Sequence, residues 1–179
     1  ICTPFHKNDI TMIISGTMGN VQNLDGINYF LDELYPLVPQ NVKVIFAGKN
    51  PPNTLVSRLN SLYPRVELKS NPQNMDEIVN HCEIFLCPAR LGGGMKLRVM
   101  DGLRNGLPVL AHEVSSRGYR DFEREGILYS FSNKTEFSQK LMQIIENLHL
   151  GRLLRKDIMT MANDKFSFDT AVSKIKSYL

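Results

Sequence analysis

Short apolar runs rich in β-branched residues alternate along this chain with longer stretches in which apolar positions recur at spacings of three and four. The first run, DITMIISG over 9–16, is closed by a glycine and predicts a strand buried within a sheet. In the stretch that follows, Leu24, Ile27, Phe30, Leu31 and Leu34 mark one side of a helix, with Asn23 as its expected N-cap and Pro36 near its end. The alternation then repeats. NVKVIFAG (41–48) predicts a second strand, PNTLVSRLNSLY (52–63) a helix opened by proline, and RVELK (65–69) a short third strand. NMDEIVNHC (74–82) predicts a short helix and EIFLCPA (83–89) a fourth strand. MKLRVMDGLRNG (95–106) predicts a helix closed by a C-cap glycine, and LPVLAH (107–112) a fifth strand. GILYSF (126–131) adds a last strand, and helical patterns follow over 134–148, 150–162 and 168–179.

Strands and helices in this order imply right-handed crossovers that cover both faces of a parallel sheet. The expected fold class is therefore α/β, a Rossmann-like three-layer sandwich with a mainly parallel sheet. At 179 residues the whole chain, 1–179, reads as a single domain. Sheets of this kind bind ligands beyond the carboxyl ends of their strands, which directs attention to the loops after Gly16, Gly48, Lys69, Ala89 and Ala111.

Composition narrows the classes further. A chain 42% hydrophobic and 22% charged has enough apolar surface to bury, which excludes a mostly disordered protein. Its 21 basic and 18 acidic residues leave a net charge of only +3, spread along the sequence, so nucleic acid is not implied as a partner. No apolar run reaches the roughly 20 residues needed to cross a bilayer, and no secretory leader pattern opens the chain, so a cytoplasmic location is expected. Cys2, Cys82 and Cys87 form neither a paired framework nor a C-x-x-C, and are read as reduced thiols with no metal. The first residue is Ile1, which suggests a piece of a longer protein.

The candidate chemistry lies in CPARLGGGMKLRVMDGLRNGLPVLA, over 87–111. Gly92, Gly93 and Gly94 separate a predicted strand from a helix start, where unpaired amides and the helix dipole favour an anion. Lys96 and Arg98 place two positive charges at the end of the helix that ordinarily disfavours them, and a bound phosphate compensates both. Asp101 has two readings: a carboxylate holding ribose hydroxyls, or a surface group paired with Arg98 or Arg104. His112, beside Glu113 at a strand end, is read as a hydrogen-bonding residue in preference to a catalyst. The Walker pattern and the G-x-G-x-x-G fingerprint are both absent.

The stretch ARLGGGMKLRVMDGLRNGLPVLAHEVSSRGY resembles the donor-binding motif of family-4-type retaining glycosyltransferases, the glycosyl transferases group 1. SGTMGNVQNLDGINYFLDELYPLV, KVIFAGKNPP and FSFDTAVSKIKSYL resemble the first strand and helix, the next strand and turn, and the closing helix of that family's second domain. The resemblance implies one half of a GT-B fold, the C-terminal, nucleotide-sugar-binding half, with the N-terminal acceptor domain absent from the chain. It implies a nucleotide-diphosphate sugar as substrate and transfer of the sugar to an acceptor hydroxyl with retention, in cell-surface polysaccharide or glycolipid synthesis. No metal and no other cofactor is implied. Peripheral association of the full-length enzyme with the inner face of the membrane is compatible with the resemblance.

By the same resemblance Lys96 contacts the donor diphosphate and stabilises the leaving group, with Arg98 as a second cation. The amides of Gly92, Gly93, Gly94 and Met95 join it, and Gly16, Thr17 and Asn23 line the loop after the first strand. In the family's Glu-x7-Glu motif the second acid falls on Asp101, which would bind the ribose, while the first falls on Gly93, which offers only a backbone amide. The arginine usual after the first strand is also missing here. A non-enzymatic nucleotide-binding or protein-interaction domain of flavodoxin-like shape is the alternative.

Overall fold

The structure, a computed structural model, describes residues 10–166. Six strands, β1 (Ile10–Thr17), β2 (Val42–Lys49), β3 (Val66–Ser70), β4 (Ile84–Cys87), β5 (Val109–His112) and β6 (Leu128–Phe131), form one sheet in the order β3-β2-β1-β4-β5-β6. Every pairing is parallel, and β1 is central, with Ile10 to Thr17 matched to Val42 to Lys49 on one side and Met12 and Ile13 matched to Ile84 and Phe85 on the other. The α/β, Rossmann-like expectation is what the molecule shows.

Parallel strands need covering on both faces, and the two core layers show how. Met12 and Ile14 of β1 face α1 (Val21–Tyr29), α2 (Asn53–Asn60) and α7 (Lys134–His149), whereas Ile13 faces α3 (Met75–Asn80), α4 (Leu97–Arg104), α6 (Arg120–Arg124) and α8 (Arg155–Phe166). A four-residue helix, α5 (Glu113–Ser116), follows β5 directly. The chain after α1 stays helical through one π-helical turn, Phe30–Leu34, and a tighter turn, Tyr35–Leu37.

The structure corrects several boundaries. Asn20, three residues before the expected Asn23, caps α1, its side-chain oxygen accepting from the Gln22 amide at 2.9 Å. Asn23 instead donates to the Thr17 carbonyl at 2.9 Å, tying the first turn of α1 to the end of β1. The fourth strand stops at Cys87, because Pro88 has no amide with which to continue the ladder. The helix expected from Met95 begins at Leu97, since Gly94 is in the left-handed region (φ 74°) and Lys96 is extended. The helix expected over 150–162 runs Arg155–Phe166, delayed by the left-handed Gly151 (φ 65°). α5 and α6 were not anticipated. Cys2 and the helix expected over 168–179 lie outside the described residues.

Candidate functional site

The strand order reverses between β1 and β4, so the connections leaving these two neighbours go to opposite faces and open a crevice at their carboxyl ends. Gly26 allows α1 to lie against the loop after β4: a Cβ there would come within 2.8 Å of the Ala89 Cα. That loop is held from two further directions. Ser115 of α5 donates its hydroxyl to the Ala89 carbonyl at 2.6 Å, and Arg90 makes a paired contact with the Asp25 carboxylate at 2.9 and 3.2 Å while lying 4.5 Å from the centre of the Tyr29 ring.

The crevice holds a cavity of about 50 Å³ whose lining includes the apolar Ile14 and Leu86, the polar Gln22, Asn23, Lys96, Arg98 and Ser115, and Gly16. Gly16 has φ 147°, and a Cβ on it would stand 3.4 Å from the Arg98 guanidinium. The missing side chain thus leaves room for Arg98 to reach from α4 to the end of β1. Its Nη1 also meets the Asp101 carboxylate at 3.3 Å. Lys96 is the N-cap residue of α4, not part of its first turn, and its ammonium donates to Gln22 Oε1 at 2.9 Å. The buried Tyr119 hydroxyl donates to the Lys96 carbonyl at 3.1 Å and fixes the start of the helix.

Of the sequence-predicted residues, the structure brings Gly16, Asn23, Lys96 and Arg98 together around the cavity. Gly92, Gly93, Gly94 and Met95 form the exposed turn beside it and are not in its wall, and Thr17 contributes its carbonyl to Asn23. The first two helix amides, which have no partner within the helix, are those of Leu97 and Arg98, two residues later than the glycine turn suggested. Asp101 is half exposed and outside the wall, paired with Arg98. Gln22 and Ser115 were missed. Gln22 matters only through a contact 74 residues away, and Ser115 sits on a helix too short to leave a periodic signal.

His112 is buried, and its Nδ1 accepts from the Val114 amide at 3.3 Å, capping α5. Its ring packs edge-on against Tyr29 and Phe131, and burial holds its pKa below the ordinary value. These contacts give it a capping and packing role. Burial likewise pushes the Cys82 thiol up to about 12 and raises that of Cys87, so both are protonated core groups at neutral pH. Among the described residues no cluster of three His, Cys, Asp or Glu side chains could hold a metal ion, and no helix is long and apolar enough to cross a membrane.

Residues 10–147 match the family model described as glycosyl transferases group 1. Among curated proteins the chain is 25% identical over 123 residues to an uncharacterized 44.6 kDa protein in the cps region of Klebsiella pneumoniae, covering 64% of this chain and 32% of that protein. It therefore spans about a third of that relative's length. Among solved structures it is similar to S. aureus TarM in complex with fondaparinux, α-GlcNAc-glycerol and UDP, with a TM-score of 0.70 at 17% identity over 99% of this chain and 37% of that one. Anabaena Alr3699/HepE in complex with UDP gives 0.69 at 13% identity, over 96% and 50% of the two chains. The catalytic domain of cholesterol-α-glucosyltransferase from Helicobacter pylori gives 0.62 at 17% identity, over 87% and 98%. At such identities the likeness is one of fold.

Proposed function

The chain belongs to the group 1 glycosyltransferases, and on that premise we propose that it binds the nucleoside-diphosphate sugar in an enzyme that transfers the sugar, with retention, to an acceptor hydroxyl. The observation that carries this reading is the convergence of Lys96 and Arg98 on a crevice at the β1/β4 reversal, beside the open amides of α4. In this reading the donor's diphosphate lies against the two cations. As the bond between sugar and diphosphate breaks, its electron pair stays on the phosphate oxygen, and charge placed in advance stabilises that oxygen more than the intact donor. Lys96 is the catalytic residue of this scheme.

Arg98 supplies from α4 the positive charge that no arginine supplies after β1, through the space left by Gly16. Asp101 would orient Arg98 and take the ribose hydroxyls from the helix side. The scheme calls on no cofactor beyond the donor. Acceptor binding would then belong to a part of the enzyme beyond this chain, and the cps-region relative supports a role in cell-surface polysaccharide or glycolipid synthesis. The UDP held by the TarM and HepE structures supports a nucleoside diphosphate as the ligand class.

Calorimetry of the intact protein with UDP, GDP, ADP and their monophosphates tests the reading. One diphosphate should bind, and Lys96→Ala should weaken it by more than about tenfold, as expected when a charge-assisted contact is removed. An unchanged dissociation constant in Lys96→Ala would remove the site.

A further inference from the structure

Gln22 reaches from α1 across the crevice to Lys96. It stands in the first turn of α1, where the Asn20 cap fixes its backbone, and its Oε1 accepts from Lys96 Nζ at 2.9 Å. The glycine turn closes over this pair. A Cβ on Gly92 would come within 2.7 Å of both Gln22 Nε2 and Lys96 Nζ, so the pair is packed against backbone.

The charges around it are sorted. α1 and α4 each carry one carboxylate, Asp25 and Asp101, and each of these is taken by an arginine, Arg90 and Arg98 respectively. Lys96 is left with a neutral amide as its partner. An ammonium has three N–H donors, so one can rest on Gln22 while two address phosphate oxygens. An amide orders the four-carbon stem without cancelling the charge, whereas a carboxylate at the same place would compete with the anion for it.

We infer that Gln22 is a positioning residue for the transfer reaction: it holds the Lys96 ammonium over the crevice in the place where the diphosphate of the leaving group requires it. The inference rests on the donor-binding reading given above. It assigns Gln22 no contact with the reacting atoms.

The test uses the intact protein, with calorimetric dissociation constants for the diphosphate that binds and for its nucleoside alone, in Gln22→Ala, Gln22→Glu and Gln22→Ala combined with Lys96→Ala. Losing an ordering hydrogen bond should make Gln22→Ala weaken the diphosphate about fivefold and leave the nucleoside unchanged. Gln22→Glu, equal in length, should weaken it by about tenfold or more by neutralising the ammonium. In the Lys96→Ala background Gln22→Ala should not matter, because the group being positioned is gone, whereas Gln22→Glu still sets a carboxylate against the diphosphate and is read only with Lys96 present. The inference is overturned if Gln22→Ala leaves binding unchanged or tightens it, if Gln22→Glu leaves it unchanged, or if the Gln22→Ala loss persists without Lys96. Should Gln22→Ala fail to fold, Gln22→Met, similar in length and without the amide oxygen, takes its place alone and combined with Lys96→Ala. If the unaltered protein binds no diphosphate, the donor-binding reading falls and this inference with it; if Lys96→Ala weakens binding and both Gln22 variants leave it unchanged, only the inference falls.

Discussion

At the scale of single residues the glycine turn separates positions that look identical in sequence. Gly92 has φ 91° and lies against Gln22 and Lys96, whereas an added Cβ on Gly93 meets nothing within 4 Å. Gly92→Ala is therefore expected to cost about 1 kcal/mol or more in backbone strain and to displace the Lys96 ammonium. Gly93→Ala should change stability by no more than about 0.5 kcal/mol. Urea unfolding of both variants, with diphosphate affinity measured alongside, checks the contrast; equal behaviour of the two would show that the turn is not packed as described. The sequence made the three glycines conspicuous, but it could not say which of them is crowded, because the crowding comes from Gln22 of α1 and from the Lys96 ammonium that rests on it.

At the scale of elements, the site depends on how α1 and α5 are docked to the loop after β4. Gly26→Ala places a methyl group 2.8 Å from the Ala89 Cα, so overpacking should destabilise the protein by roughly 1–3 kcal/mol and weaken diphosphate binding as the loop moves. Chemical denaturation gives the first quantity and calorimetry the second. α5 rests on its His112 cap, and its behaviour with pH follows from burial. Desolvation, with Arg90 and Arg117 nearby, lowers the folded-state pKa from the ordinary value of 6.5, against the smaller opposing effect of Glu113. The unfolded chain thus takes up the proton first as pH falls, so this contribution is complete above 6.5 and lost below it. Denaturation midpoints measured from about pH 8 to about pH 5 should decline on the acid side, and less steeply in His112→Asn, which can still cap α5. Identical slopes in both proteins would assign the acid loss to other groups.

At the scale of the whole molecule, alternation of apolar runs with three-and-four spacing was sufficient to read six strands in a mainly parallel sheet and its longer covering helices, though not the short α5 and α6, because burial on both faces leaves a local, periodic imprint only where an element is long enough. The sequence also singled out one candidate segment: glycines, Lys96, Arg98 and Asp101 stand together between a strand and a helix. It could not place Asn20 ahead of Asn23 as the cap, nor delay α4 to Leu97, since either choice satisfies the local pattern and only the backbone path past Thr17 and Gly94 selects one. What the tertiary structure alone decided is the pairing across the crevice, Arg98 beside Gly16, Lys96 on Gln22 and Arg90 on Asp25, and the bracing of one side of it by Ser115 on Ala89. The first three join residues distant in sequence that meet because the strand order reverses between β1 and β4, and Ser115 reaches Ala89 because β5 lies beside β4; a pattern read along one dimension carries no imprint of either adjacency.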